Sequence, residues 1–582
     1  MKRAALLLLA FAALLGAAPA QAQTIATTSA PPDPNALVRP TDLDATPVGR
    51  QLTPNDALRI ARRSPKIADM LGRHPGFKEE AYQKGVSRWQ VSYFEAGKER
   101  IEIGQVIVDD ATGAIVESWT GFQVAWTMAR GYPGAFGRVV TSPWIWIPLS
   151  VLFVLPFVNP RRWRSWLHLD LLVLSAFSVS LAFFNRAEIG LSVPLVYPLL
   201  AYLLVRMLAI AVRRSDPPPV RLLVPVTWLA VAIVFLLGFR IGLNATNSNV
   251  IDVGYAGVIG ADRLVDGKPL YGQFPSDNEH GDTYGPVVYE AYVPFEQAVS
   301  WTGTWDDLPA AHGAAIAFDL LCVLLLFLIG RRIRPTRPPD LGIALAYAWV
   351  AYPFTIYASN SNSNDALVAA LVLLAVLLAH RPVLRGGAAA LAGLTKFAPL
   401  ALAPVLATHR LERGRRTRGL ALFAVGFAVA AALALLPMLR EDISVFWERS
   451  VVFQAERGSP FSIWGFRGWE TAQAVAQALA VLLAVGLALV PRRRDMAGLA
   501  AACAAVLIAL QLAVTHWFYL YIPWFFGLVM VAVLAREPSE DHEAAALHLD
   551  HDGVVQRLAP LEGEQAQHGR EQVDGGQLAP DR

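Results

Sequence analysis

Long apolar stretches separated by short polar ones dominate the chain from residue 143 onward. Runs of spanning length occur near 143–160, 166–185, 189–212, 222–241, 312–330, 341–358, 365–380, 419–439, 472–490, 496–514 and 517–535. A helix needs roughly 20 apolar residues to cross a bilayer, so the pattern predicts a polytopic α-helical membrane protein of about eleven spans. One further apolar segment, 386–407, is interrupted by Gly393 and Pro399 and followed by Arg410, Arg413, Arg415, Arg416 and Arg418. As a full crossing it would put that basic cluster on the opposite side from the others. It therefore reads as a re-entrant pair of half-helices, a form tolerated when the broken backbone is buried in protein or lines a cavity.

The N-terminal pattern is different. Residues 1–22 have a basic start, a short apolar core and a small-x-small site, which reads as a cleaved signal peptide. Residues 23–50 are rich in Pro, Thr and Ala and read as a linker. Residues 51–125 predict a small exported α+β domain. Thr53, Pro54 and Asp56 mark a helix start, Pro65 interrupts that helix, and Trp89, Val91 and Tyr93 alternate along a strand. The tail 536–582 is polar, aperiodic and reads as disordered. Its His542, His548, His551 and His568 read as solvated in preference to metal-ligating.

Basic clusters after the odd-numbered spans set the expected orientation. The N-terminal domain and loops 243–310, 359–364 and 440–471 lie outside the cytoplasmic membrane, and the C-terminus lies inside. Composition agrees. The chain is 54% hydrophobic with mean hydropathy +0.40, which excludes a soluble protein. Cys322 and Cys503 both lie in apolar runs, so neither a disulfide framework nor a cysteine metal cluster is implied.

Candidate chemistry concentrates in loop 243–310, where ten carboxylates face only Arg263 and Lys268. Asp252, just past a span, suits a general base, or it caps the helix that follows. Asp262 and Asp266 read as solvated helix charges. Glu279, His280 and Asp282 read as acceptor or cation contacts, or as a solvated loop. Asn360, Asn362, Asn364 and Asp365 read as caps of the next span. Lys396 is an intramembrane lysine, costly and usually functional, unless it snorkels to headgroups. Arg449, Arg457 and Arg467 alternate with Trp447, Trp464 and Trp469, which fits an interfacial helix or a phosphate site. His516 reads as a phosphate contact or an interface residue.

The stretch "NVIDVGYAGVIGADRLVDGKPLYG" and the later "DTYGPVVYEAYVPFE", with Asp252, Tyr255, Gly267, Leu270, Tyr271, Tyr284, Gly285 and Pro286, resemble the first external loop of GT-C glycosyltransferases. The resemblance is to glycosyltransferase family 87, the polyprenol-phosphate-mannose-dependent kind, and covers about 222–535. "NSNDALVAALVLLA", "AGLTKFAPLALAP" and "THWFYLYIPWFF" extend it. Gly285 stands where the family often has Pro. Residues 143–212, three extra spans, lie outside it. "VDDATGAIVESWTG" gives 51–125 a resemblance to PepSY domains, implying a binding or regulatory module.

The GT-C resemblance implies inverting transfer of a sugar, mannose in that family, from a polyprenyl-phosphate donor to a glycan, glycolipid or protein acceptor at the outer face of the membrane. It assigns the base to Asp252. Lys396, Arg457 and His516 are candidates for the donor phosphate, and Tyr255, Tyr271, Glu279, His280, Asp282 and Tyr284 are acceptor or loop candidates. No cofactor is called for; a divalent cation is not indicated, and nucleic acid is not a partner. Two other classes stand beside it. A transporter or lipid flippase would use the broken helix and intramembrane charge as a midplane site, though no inverted repeat is visible. A non-catalytic sensor would read an exported partner through the N-terminal module.

Overall fold

The computed structural model describes residues 37–535, apart from 98–100, 132–135, 161–163, 213–221, 336–339, 411–415 and 491–492. The expected signal peptide, the first half of the linker, the C-terminal tail with its four histidines, and several arginines used for orientation lie outside the described residues. The chain divides into two units, one ending at Thr127 and one starting at Met128. Helices of eight or more residues are numbered here in chain order.

In the first unit, α1 (Pro54–Ala61) and α2 (Pro65–Arg73) pack on a five-stranded antiparallel sheet of order β1 (Leu37–Val38), β2 (Lys78–Lys84), β3 (Arg88–Phe94), β4 (Glu102–Asp109) and β5 (Ile115–Thr120). Thr53 opens α1 with a reciprocal cap. Its Oγ1 accepts from the Asp56 N–H (3.0 Å), and the Asp56 carboxylate accepts from the Thr53 N–H (3.2 Å). The period-two reading of β3 holds. Trp89, Val91 and Tyr93 are fully buried against Ala57, Ala61, Ile67 and Met70. Two strands escape the apolar pattern: β1, which lies inside the segment read as linker and pairs with β2, and β2 itself, because "KEEAYQK" is mostly polar.

The second unit is helical: α3 (Pro143–Val154), α4 (Trp166–Phe184), α5 (Ile189–Val212), α6 (Val226–Thr246), α7 (Asp252–Val265), α8 (Pro286–Ala298), α9 (Pro309–Ile333), α10 (Asp340–Ala351), α11 (Pro353–Asn360), α12 (Asp365–Leu377), α13 (Pro382–Thr395), α14 (Arg416–Ala434), α15 (Glu470–Leu489), α16 (Met496–Ala513) and α17 (Ile522–Leu534). Among the described residues seven helices are long and apolar enough to cross a membrane: α4, α5, α6, α9, α14, α15 and α16. An eighth span arises if α10 and α11, bent by 58°, count as one. This marks a multi-pass membrane protein, but with fewer full-length spans than the eleven expected. The runs at 143–160, 365–380 and 517–535 form helices of only 10–17 residues. Proline explains part of the difference. Pro353 opens α11 after the bend, and Pro156 lies in the 3₁₀ turn that ends α3.

The segment 386–407 breaks at neither Gly393 nor Pro399 but at Lys396, the C-cap of α13. A 3₁₀ turn and a short helix, Ala403–Ala407, follow, and Leu400 folds back onto Gly393.

One buried ion pair inside this apolar body shows how a charge is accommodated there. Arg240 on α6 meets Asp319 on α9 (Nε–Oδ2, 3.0 Å), and both are buried. Trp349 Nε1 also donates to Asp319 (2.8 Å), and Arg240 donates to the Val350 carbonyl and Thr355 Oγ1 (3.2 Å each). This cluster ties α6, α9, α10 and α11 together. Asp319→Ala would strand the guanidinium, at a cost of about 3–5 kcal/mol, seen as a lower unfolding midpoint in nanodiscs. The double variant Arg240→Met, Asp319→Leu is expected to regain most of that loss; equal instability of the double variant would contradict the ion-pair account.

Candidate functional site

Helix α7 begins at Asp252 itself, with Ile251 as an N-cap that makes no side-chain bond. Gly254, Gly257 and Gly260 form its close-packed stripe. A methyl group there would strike the Asn362 carbonyl, the Tyr292 ring and the Tyr289 ring respectively. These small residues seat α7 against α8 and the 360–364 segment, which fixes where Asp252 points. The Asp252 carbonyl also accepts from Asn278 Nδ2 (2.9 Å).

A cavity of about 290 Å³ lies beside this helix start. Its polar lining includes Tyr284, Lys396, Gln454, Arg457, Gln511 and His516; its apolar lining includes Leu507, Leu510, Val514 and Trp524. Leu507 and Leu510 lie further along α16, so the apolar wall runs into the helical body. Lys396 Nζ donates to Asp365 Oδ1 at 2.7 Å, and the same oxygen accepts from Trp524 Nε1 at 2.9 Å. Three rings surround the ammonium, with Nζ 5.4 Å from Tyr284, 5.7 Å from Tyr521 and 5.2 Å from Trp524. Asp365 is buried, while Lys396 keeps 11% of its side chain exposed.

The approach of Tyr284 to Lys396 depends on Gly285. Its N–H donates to the Thr395 carbonyl (3.2 Å) at the end of α13, and a Cβ there would overlap the Leu394 carbonyl. A proline at this place would have neither the N–H nor the room.

His516 is held by Ser459, whose Oγ lies 2.9 Å from Nδ1. Ser459 Oγ also accepts from the Phe461 N–H (3.2 Å), which fixes the hydroxyl and, through it, the ring. Burial, aided by Arg457 and Lys396, drives the His516 pKa down to about 3. The imidazole is therefore neutral, a hydrogen-bond donor and not a cation.

Asp252 is exposed, yet the surrounding protein displaces enough bulk water to raise its pKa; the Val253 N–H, Arg457 and Lys396 pull the other way. It is not itself part of the cavity lining. It stands next to the cavity, near enough for the charges of Lys396 and Arg457 to act on it.

The structure thus brings Asp252, Tyr284, Lys396, Arg457 and His516 together. The remaining loop candidates sit elsewhere. Tyr255 is fully buried, and its hydroxyl donates to Asp277 (3.3 Å). Tyr271 is buried and donates to the Tyr284 carbonyl (2.9 Å). Asp282 is fully buried, accepting from Arg449 Nε (2.9 Å) and the Gly272 N–H (2.6 Å). Glu279 is exposed, and its carbonyl accepts from Arg449. His280 is exposed and stacks on Phe453 at 4.6 Å.

Asp365, read from sequence as a helix cap, is the residue the sequence analysis missed. The available signal was a carboxylate opening an apolar helix in a chain that also carries an intramembrane lysine, since such charges usually pair.

The sequence profile of glycosyltransferase family 87 matches residues 283–536, a little under half of the chain. This portion is similar to membrane glycosyltransferases and supports a GT-C-like enzyme. The match includes Tyr284, Lys396, Asp365, Arg457 and His516; it begins after Asp252 and does not reach the N-terminal domain. No curated protein matches the chain.

The His516 environment has a pH consequence. Between about pH 6.5 and 3 the unfolded chain holds a proton on this ring that the folded chain does not. Folded-state stability therefore falls as pH drops through that window, by at most about 1.4 kcal/mol per pH unit from this group. Unfolding midpoints between pH 7 and 5 should fall less steeply for His516→Asn than for the wild type. Parallel slopes would rule out a buried neutral ring.

Proposed function

We propose that this protein is an inverting glycosyltransferase that takes a sugar from a polyprenyl phosphate and passes it to a glycan, glycolipid or protein acceptor at the outer face of the cytoplasmic membrane. Mannose is the sugar the family resemblance favours. The observation that carries this reading is a cavity with Lys396, Arg457 and neutral His516 in its polar lining and an apolar wall running into the helical body, next to Asp252. That combination suits a phosphate joined to a hydrocarbon chain.

The chemistry follows. The acceptor hydroxyl attacks the anomeric carbon while Asp252 takes its proton. The bond from that carbon to the phosphate oxygen breaks, and the lipid phosphate leaves with the electron pair. Lys396 and Arg457 offset its charge, and His516, a neutral ring, can donate one N–H. Asp365 and the ring cage hold the Lys396 ammonium toward the cavity. The N-terminal domain, PepSY-like in sequence, serves as an exported binding or regulatory module behind a signal peptide, and the C-terminus lies in the cytoplasm.

The test is transfer of labelled sugar from a polyprenyl-phosphate donor by the protein in nanodiscs. Asp252→Asn is expected to lower the rate by roughly 10²–10⁴-fold with folding intact. In the wild type the acid limb of kcat/KM should fall above the ordinary carboxylate pKa of 3.8, because the raised group loses its basic form earlier as pH drops. Transfer undiminished in Asp252→Asn, or none from any lipid-linked sugar, would sink the reading.

A separate variant addresses the lysine. Asp365→Asn should raise the donor KM by about tenfold, equivalent to about 1.4 kcal/mol, with partial recovery in Asp365→Glu. An unchanged donor KM would remove Asp365 from donor binding.

A further inference from the structure

We propose that Trp305, with Asp277 on the tyrosine beneath it, forms an acceptor subsite that stacks one sugar unit of the acceptor glycan near Asp252. The inference rests on the transferase reading above.

Trp305 lies in loop 299–308, between α8 and α9. Its ring sits 4.8 Å from that of Tyr255, with 31° between the planes. Tyr255 is fully buried, whereas Trp305 is 42% exposed. One face of the indole is thus seated on Tyr255 and the other is open. The ring is also fixed, since its Nε1 donates to the Val250 carbonyl (3.2 Å). Trp301 also packs edge-on against Tyr255 at 5.9 Å, and its own Nε1 is spent on the Thr304 carbonyl (2.9 Å). The open surface is therefore a rigid π-face with its polar hydrogen already used.

Its position matters as much as its geometry. Trp305 is anchored on Val250 and Tyr255, which bracket Asp252 in sequence. Tyr255 follows Asp252 by three residues and so shares its side of α7. Helix α6 ends at Thr246 and α9 begins at Pro309, so the whole segment between them emerges on one side of the membrane.

Other exposed tryptophans differ. Trp144 neighbours exposed Ile147 and Val151 on α3, and Trp228 neighbours exposed Val231 and Val234 on α6. Those are positions for an aromatic belt against lipid. Around Trp305 the exposed residues include Thr302, Thr304, Asp306 and Asp307, with Val299 at the start of the loop the exposed apolar exception. Asp306 is used within its own loop, accepting from Thr302 Oγ1 (2.6 Å) and the Leu308 N–H (2.9 Å). Asp277 is exposed and takes the Tyr255 hydroxyl at 3.3 Å on one oxygen. A sugar ring presents a C–H face that lies flat on an aromatic surface and hydroxyls that donate to a carboxylate. The exposed indole offers the flat surface, and Asp277, bonded to the tyrosine beneath it, offers the carboxylate.

The experiment uses the full protein in nanodiscs, with a mannose trisaccharide and a glucose trisaccharide as probes. Saturation-transfer NMR should show the ring protons of one sugar unit saturated in wild type, lost in Trp305→Ala and kept in Trp305→Phe. In transfer assays Trp305→Ala should raise the acceptor KM about tenfold and move the donor KM by less than about twofold. No saturation with either trisaccharide would overturn the subsite. So would a wild-type acceptor KM in Trp305→Ala, which would assign the ring to the membrane interface. Saturation that depends on Trp305 in a protein that transfers no lipid-linked sugar would leave the platform standing and remove the transferase reading instead.

Discussion

The bond between Lys396 and Asp365 is the interaction on which the candidate site depends. An ammonium in an apolar helical body is expensive unless it is paired. Here a single carboxylate oxygen takes both Lys396 Nζ and Trp524 Nε1. That one atom joins the end of α13 and the start of α12 to the start of α17, which is distant from both in sequence. The ring cage of Tyr284, Tyr521 and Trp524 then favours the ammonium without burying it fully. Asp365 satisfies the charge from behind, while the lysine still lines the cavity.

Other buried pairs show what this arrangement adds. Arg240–Asp319 is closed on all sides by Trp349, Val350 and Thr355. Arg206–Asp170, with Tyr202 on the same carboxylate, joins α4 to α5. Both are architecture. Lys396 differs because its helix ends beneath it. Stopping α13 leaves carbonyls without partners inside the helix, and the Gly285 N–H takes one of them at Thr395. The same contact delivers Tyr284 to the lysine. The cost of the break is thus offset by the loop that completes the cavity.

Much of this was legible in the sequence. Hydropathy located the long helices, because twenty apolar residues have few alternatives. The cost of an intramembrane charge marked Lys396, and period two located β3. Other features were hidden for physical reasons. Spans and shorter buried helices share one composition, so α3, α12 and α17 read like full crossings. Pro399 suggested the break in 386–407, but tertiary contacts moved it to Lys396. Tyr255 and Asp282 have residue types suited to a site, yet Tyr255 lies beneath Trp305 and Asp282 under Arg449. Only packing distinguishes a buried partner from an exposed one. Asp365 looked like a cap because it is at a helix start; its other role needed a lysine 31 residues away.

The loops behave as one piece, and this bears on how the site can work. Asp282 grips Arg449, Glu441 accepts from the Leu270 N–H at 2.7 Å, and Tyr271 packs on Phe446 at 5.0 Å. Segments 266–285 and 441–457 are therefore joined before either reaches the cavity. One ends in Tyr284, the other in Arg457. Arg449 lies in a π-helical turn, Glu448–Val452, an uncommon geometry that tends to mark functional positions. It lets one arginine reach across the gap while the chain continues to Arg457. Arg457, proposed above to face the donor phosphate, and the Tyr284 ring are then held by backbone that is itself clasped. Preorganisation of this kind lets fixed groups meet developing charge without rearranging.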